Sequence, residues 1–233
     1  MPGLEHSSGL SVVIPALNAA PGLAAALHAV TARASGLAPE VVVVDGGSTD
    51  DTRAIARQHG ARVIRAARGR GTQLAAGAAA AAGHWLLFLH ADTRLAPGWG
   101  EAVAAFTREP ANADRAGYFR FALDDAAAAA RRVEATVAWR NRVLGLPYGD
   151  QGLLISRAFY RAVGGYRPLP LMEDVDLVRR VGRRRLVLLD VPAITSAVRY
   201  RRDGYIGRPL RNAACLSLYL LGVPPHLIVR LYR

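Results

Sequence analysis

The amino-acid sequence predicts an α/β fold, a mostly parallel central sheet flanked by helices, in a single domain spanning residues 1–233. Two observations carry the fold class. Short β-branched runs, residues 11–15 and 40–45 among them, are apolar without alternation, as strands buried on both faces are. Alanine-rich stretches of helical length separate these runs up to residue 93, the pattern of right-handed crossover units. A third observation sets the size: 233 residues at 52% hydrophobic composition suffice for one large core, and no linker or internal repeat divides them.

Residues 11–15, ended by Pro15, read as the first strand. Asn18 opens a loop, and Pro21 and Gly22 lead an alanine-rich helix to Arg33. Residues 40–45 form the second strand. The next helix is expected from about Ser48, with Asp50 and Asp51 in its first turn, where carboxylates favour a helix N-terminus. Residues 61–65, 71–82 and 84–89 supply the third strand, third helix and fourth strand. Beyond His90-Ala-Asp92-Thr93 the alternation loosens. Residues 117–123 alternate as a strand, 126–144 read as a long helix, 149–155 as a strand, and 157–163 as a short helix before the break at Gly164-Gly165-Tyr166. A helix from Met172 to about Gly182, a strand over 185–191 and two C-terminal helices complete the chain.

Every basic side chain in the +12 net charge is an arginine, so a phosphate-binding loop that needs lysine is excluded. A dinucleotide fingerprint is poorly supported, because Pro15-Ala-Leu-Asn18 follows the first strand where glycines would be required. Residues 179–211 hold ten arginines against two acids, a positive field that suits a phosphate-bearing ligand, an anionic surface or nucleic acid, and equally a solvated arginine-rich face. Cys215 is the sole cysteine, which rules out a disulfide framework and favours a reducing compartment. The N-terminal residues lack a signal-peptide pattern, and the most apolar segment, 213–223, is shorter than the roughly 20 residues a membrane helix needs.

Three constellations bear chemistry. The run Asp45-Gly-Gly-Ser-Thr-Asp50-Asp51-Thr52 is a tight turn into a helix whose first carboxylate can accept from a base N–H or a ribose hydroxyl, or can serve as an ordinary acidic turn. His90 and Asp92, two apart after an apolar strand, point to the same side. Asp92 there suits a divalent cation with oxygen ligands, Mg2+ or Mn2+, while His90 reads as a neighbour or as a further ligand that favours Mn2+. Glu173-Asp174-Val-Asp176 at a helix start complements the helix dipole on its own terms.

Together these pieces resemble family 2 glycosyltransferases of the GT-A (nucleotide-diphospho-sugar transferase) fold. The resemblance rests on Val-Val-Ile-Pro15-x-x-Asn18, Val-Val-Asp45-Gly-Gly-Ser-Thr-Asp-Asp-Thr, Phe-Leu-His-Ala-Asp92-Thr and Met-Glu173-Asp174. Leu-His-Ala-Asp-Thr, Gly149-Asp-Gln-Gly, Pro-Leu-Met-Glu-Asp-Val and Leu-Gly-Val-Pro-Pro are similar to short bacterial members, the radical-SAM/selenodomain-associated group. The resemblance implies a metal-dependent inverting transfer from a UDP- or GDP-sugar to an unidentified hydroxyl acceptor. It implies Asp174 as catalytic base, with Glu173 orienting it or the acceptor. Pro15, Asn18, Asp45, Arg68, Arg70, Asp92, Arg199 and Arg201 become donor contacts, and Asp92, with His90 as a further candidate, the ligand of Mn2+ or Mg2+. The first acid of the family's Asp-x-Asp motif is replaced by His90, and only Ser196-Ala-Val-Arg199-Tyr200 stands where processive members carry Gln-x-x-Arg-Trp, so processive synthesis is not expected. Residues 10–95 are expected to form the nucleotide-binding half, 96–190 the acceptor half, and 191–233 a basic helical segment.

Two rival readings stand beside this one. A polyprenyl-phosphate glycosyltransferase would use the basic segment and the helix over 208–221 at the membrane surface, whereas that helix otherwise serves core packing or a homodimer. A nucleotidyltransferase or non-catalytic nucleotide-binding protein is the other; nucleic acid is not expected as a partner, because aromatics in the basic segment are few. The expected location is cytoplasmic, with the inner membrane face as a peripheral alternative.

Overall fold

The computed structural model describes residues 9–32 and 37–232. Arg33, the expected end of the first helix, and the N-terminal residues 1–8 lie outside the described residues. One sheet organises the molecule. Its strands are β1 (Leu10–Ala16), β2 (Glu40–Asp45), β3 (Arg62–Arg65), β4 (Trp85–Phe88), β5 (Thr93–Leu95), β6 (Ala116–Leu123), β7 (Leu153–Ser156) and β8 (Leu186–Thr195). Their spatial order is β3-β2-β1-β4-β7-β6-β8-β5. The first four pair in parallel, then β7 runs antiparallel to both β4 and β6, β6 and β8 are parallel, and β5 closes the edge antiparallel to β8. The parallel half follows the expectation, and the second half is mixed.

Helices cover both faces. They are α1 (Ala20–Thr31), α2 (Thr52–Gln58), α3 (Arg70–Ala80), α4 (Trp99–Arg108), α5 (Ala128–Leu144), α6 (Arg157–Ala162), α7 (Glu173–Val181), α8 (Val198–Asp203), α9 (Gly207–Leu220) and α10 (Pro225–Tyr232). The unbroken apolar character of β1 and β2 follows from this cover. Val13, Val42 and Val44 pack with Leu74, Ala78, Leu177 and Ile228 on one side, while Val12, Ile14, Val41 and Val43 meet Leu23, Leu27 and Val30 on the other. A third cluster joins Phe121 and Leu123 of β6 to Ala130, Val133 and Val137 of α5 and to Tyr200.

The departures from expectation have local causes. The second helix starts at Thr52 rather than Ser48, because Ser48 and Asp50 are engaged in the preceding turn: the Ser48 amide donates to Asp45 Oδ1 at 2.9 Å and the Thr52 amide to Asp50 Oδ1 at 3.1 Å. β8 continues through Pro192 to Thr195, since the proline falls beside a register shift opposite Phe119 and Arg120, where a missing N–H costs nothing. Residues 149–151 form a 3-10 turn rather than the start of a strand. Three helices, not two, follow β8 among the described residues, with Gly204 in the left-handed region (φ 83°) separating α8 from α9.

Candidate active site

The segment after β4, the end of β8 and the head of α7 meet around one cavity of about 760 Å3, open solvent at its mouth included. Its walls carry Arg70, His90, Asp92, Asp150, Asp174 and Arg199, and the helices α9 and α10 complete it with Arg208, Asn212 and Tyr232.

Asp45 ends β2 fully buried. Its Oδ1 accepts from Ser48, its Oδ2 has no hydrogen-bond donor, and the Arg53 Nε lies 3.8 Å away. Asn18 holds the facing loop in a left-handed conformation (φ 48°): its Oδ1 accepts from the Thr49 amide at 2.9 Å and its own amide donates to Ser48 Oγ at 2.9 Å. Pro15 lies in β1 opposite Val44 of β2. Gln73, buried in α3, ties these two strand ends by donating to the carbonyls of Ala16 and Val44, each at 2.8 Å. None of these residues belongs to the cavity lining.

Asp92 follows β4 in a turn fixed by the Ser196 amide, which donates to its carbonyl at 3.1 Å. Its carboxylate is one-third exposed and lies 3.7 Å from Arg199 Nη2. Burial, reinforced by Arg70 and Arg199, holds the His90 imidazole well below its ordinary pKa, so the ring is neutral at pH 7 and keeps a lone pair. Among the described residues, no group of three or more His, Cys, Asp and Glu side chains gathers as a ready-made cation site. Asp92, with His90 two residues before it, would suit an oxygen-ligated Mn2+ or Mg2+ that draws its other ligands from outside the protein.

Met172, buried and left-handed (φ 63°), swings the chain into α7 so that Glu173 and Asp174 stand at its first turn. Glu173 is almost fully buried and accepts from Arg70 Nη1 at 3.3 Å; burial pushes its pKa up, opposed by Arg70 and assisted by Asp174. Both oxygens of Asp174 are held by backbone: Oδ2 accepts from Gly149 and Oδ1 from Val175, each at 2.8 Å. Gly149 allows this approach, since a Cβ there would sit 2.5 Å from His90 Nε2 and 3.4 Å from Asp174 Oδ2. Asp176, by contrast, is engaged with Arg167, Arg180 and Tyr219 away from the cavity lining.

Of the expected site residues, Arg70, His90, Asp92, Asp174 and Arg199 come together on the cavity, with Glu173 directly behind Arg70. Arg68 is exposed and outside the lining. Arg201 is also outside it: its Nε donates to Asp125 Oδ2 at 2.9 Å and its Nη2 to the Asp124 carbonyl at 3.0 Å, which turns the guanidinium away. Arg202, Arg208 and Arg211 share one acid, Asp203, which offsets only part of their charge, and Arg208 still lines the cavity.

The sequence reading gave no role to Asp150, Tyr148, Arg208, Asn212 and Tyr232. A signal existed for the first two in Gly149-Asp-Gln-Gly, where buried Gln151 anchors the turn by accepting from Asn141 at 3.0 Å and donating to the Phe119 carbonyl at 3.0 Å. Asp150 is pushed up to about 6, mainly by burial, against the pull of Arg140 and with the help of Asp174 and Asp92.

The model of Glycosyl transferase family 2 matches residues 11–145. Glucosyl-3-phosphoglycerate synthase of Mycobacterium tuberculosis is 34% identical over 92 residues, covering 36% of this chain and 28% of that protein, so the match spans little more than a quarter of the relative. A crystal structure of the same enzyme with Mn2+ and UDP-glucose superposes with a TM-score of 0.62 at 20% identity, over 96% of this chain and 86% of that one. Mannosyl-3-phosphoglycerate synthase from Rubrobacter xylanophilus gives a TM-score of 0.60 at 20% identity, over 91% and 74% of the two chains. These likenesses bear out the GT-A fold.

Proposed function

Because the chain belongs to glycosyl transferase family 2, we propose that it moves a sugar from a uridine diphosphate sugar to an acceptor hydroxyl, with inversion at the anomeric carbon and with Mn2+ or Mg2+ held at Asp92. The observation that carries this reading is the shared cavity: Asp174, with both oxygens fixed by backbone N–H groups, lines the same walls as Asp92, Arg70 and Arg199. The UDP and Mn2+ in solved structures of the same fold support the choice of donor and cation.

In this mechanism Asp174 takes the proton of the acceptor hydroxyl as its oxygen bonds to the anomeric carbon and the bond to the diphosphate breaks. A cation at Asp92, when bound, supplies charge to the departing diphosphate. Arg199 and Arg70 meet the same developing charge from the protein side. Asp45, with one buried oxygen lacking a donor, is suited to accept from the N–H of a uracil ring. Residues 10–95 would then hold the nucleotide, and later segments the acceptor.

The test is a thermal-shift and product screen. UDP-glucose with Mn2+ should raise the melting temperature and yield UDP once an acceptor is supplied. If neither UDP- nor GDP-sugars shift melting or release nucleotide in either metal, the transferase reading fails.

A second reading, an acceptor presented on a lipid surface, draws on the exposed Ile206 (75%), Leu210 (64%) and Leu221 (81%) around α9. No described helix is long and apolar enough to cross a membrane. Flotation with anionic liposomes separates the readings, since retention in the soluble fraction removes the lipid one.

A further inference from the structure

We infer that Gln151 is the positioning residue for Asp174: it sets the turn whose Gly149 N–H aims that carboxylate, and through the turn it governs the chemical step without touching substrate. The inference rests on the transferase reading above, in which Asp174 is the base, and adds to it a residue outside the cavity lining.

Two N–H groups hold the Asp174 carboxylate, and they are not equivalent. Val175 belongs to the same helical turn as Asp174 and moves with it. Gly149 belongs to a separate segment, so its bond to Oδ2 is what orients the carboxylate relative to the rest of the site. The direction of that N–H is decided by the planar peptide joining Tyr148 to Gly149, and hence by whatever fixes the 3-10 turn over Gly149–Gln151.

Gln151 fixes it from inside the protein. Its side chain is fully buried and engaged at both ends. Oε1 accepts from Asn141 Nδ2 at 3.0 Å and Arg140 Nη2 at 3.2 Å, both of α5, and from the Tyr148 backbone N–H at 3.3 Å, so it grips the start of its own turn. Nε2 donates to the Phe119 carbonyl at 3.0 Å. That carbonyl stands at the register shift between β6 and β8, where Pro192 brings no N–H. One amide joins α5, β6 and the turn. Glutamate would lack the donor, asparagine is a methylene shorter, and an apolar residue would fill the space but leave buried groups unpaired. Packing alone requires none of these contacts, and a satisfied buried network of this kind holds one geometry against its neighbours.

The test pairs native-state hydrogen exchange with turnover. Gln151→Met keeps the length of the side chain and removes both ends of the amide. Asn141→Ala is milder, removes one donor to Oε1, and serves where Gln151→Met does not fold. By NMR, the Gly149 amide should exchange about 10-fold faster in Gln151→Met and roughly 3-fold faster in Asn141→Ala, while amides of β1 and β2 keep their protection. With UDP-glucose and Mn2+, kcat for UDP release to water should fall by about 10-fold in Gln151→Met, with UDP affinity by calorimetry within about 2-fold of the parent. In an Asp174→Asn background the same substitution should cost no further turnover, because its effect runs through that carboxylate. Unchanged Gly149 exchange overturns the inference, as does an equal loss of UDP affinity or a turnover loss repeated in full on the Asp174→Asn background. Absence of UDP-glucose binding to the unmodified chain overturns the transferase reading instead, and the exchange result then still reports on the turn by itself.

Discussion

The backbone N–H of Gly149 donates to Oδ2 of Asp174 across 2.8 Å, so the turn before β7 fixes the carboxylate at the head of α7. With Val175 holding the other oxygen, the Asp174 carboxylate is aimed before any substrate arrives. In the role proposed for it as the base, Asp174 would act without first reorganising.

Asp174→Asn can accept from only one of those two N–H groups and cannot take a proton. Transfer should fall by about 100-fold or more, the range for removal of a general base, while UDP affinity stays within about 2-fold. Steady-state rates beside calorimetric titration with UDP check both parts. Equal loss of binding and turnover would mean that Asp174 belongs to the donor site instead.

Asp92→Ala should act on the other axis. Calorimetry with UDP should show Mn2+-dependent affinity reduced by roughly 10-fold or more and metal-independent affinity little changed. A variant that still gains affinity from Mn2+ would move the cation elsewhere.

Arg199 and Arg201 differ by two positions and should differ in consequence. Arg199→Ala, on the cavity wall, should weaken UDP binding several-fold. Arg201→Ala should leave UDP affinity unchanged and alter stability little, since its ion pairs with Asp124 and Asp125 are solvent-screened on the guanidinium side. Paired UDP titrations of the two variants decide the matter.

Asp150 carries a stability signature as well. Its pKa is raised in the fold, so the native state binds the proton more tightly than the unfolded chain, and stability falls as pH rises from about 4 through about 6. Asp150→Asn removes that penalty. It should melt at a higher temperature than the parent at pH 7.5, by an amount corresponding to no more than about 3 kcal/mol, and the gap should close toward pH 4. Melting curves across that range provide the check, and a pH-independent difference would contradict it.

Gly77→Ala probes the seam between α3 and the sheet. Its Cβ would come within 2.3 Å of Val13 Cγ1 and 2.8 Å of Val44 Cγ2, so the helix must lift from β1 and β2. A loss of about 1–3 kcal/mol is expected, read as a fall of roughly 3–10 °C in Tm by calorimetry.

The parallel half of the fold was legible because its signals are local. Residues 40–45 are a continuous apolar run for the reason that both sheet faces are covered, and the observed β2 has those same bounds. β5 and α4 were not read. The three residues of β5 are a strand only through pairing with Thr195, Ile194 and Ala193, which lie a hundred positions further on. The site was legible to the same extent. Asp92 and Asp174 sit in recognisable runs, whereas Arg208, Asn212 and Tyr232 reach the cavity through the packing of α9 and α10, for which residue spacing offers no signal. Arg201 shows the reverse: the resemblance and the local charge suggested a donor contact, and two neighbouring acids hold its guanidinium.

Arg70, His90 and Asp92 of the cavity come from within the family match that ends at residue 145, segments between 148 and 200 line most of the rest, and α9 and α10 roof it with Arg208, Asn212 and Tyr232. Mutation can therefore rework the roof helices while the floor beneath them stays as it is. Under the proposed reading, a lineage built on this plan would change what receives the sugar without relearning how to hold the nucleotide, and a library randomised only at α9 and α10 would sample that same freedom in the laboratory.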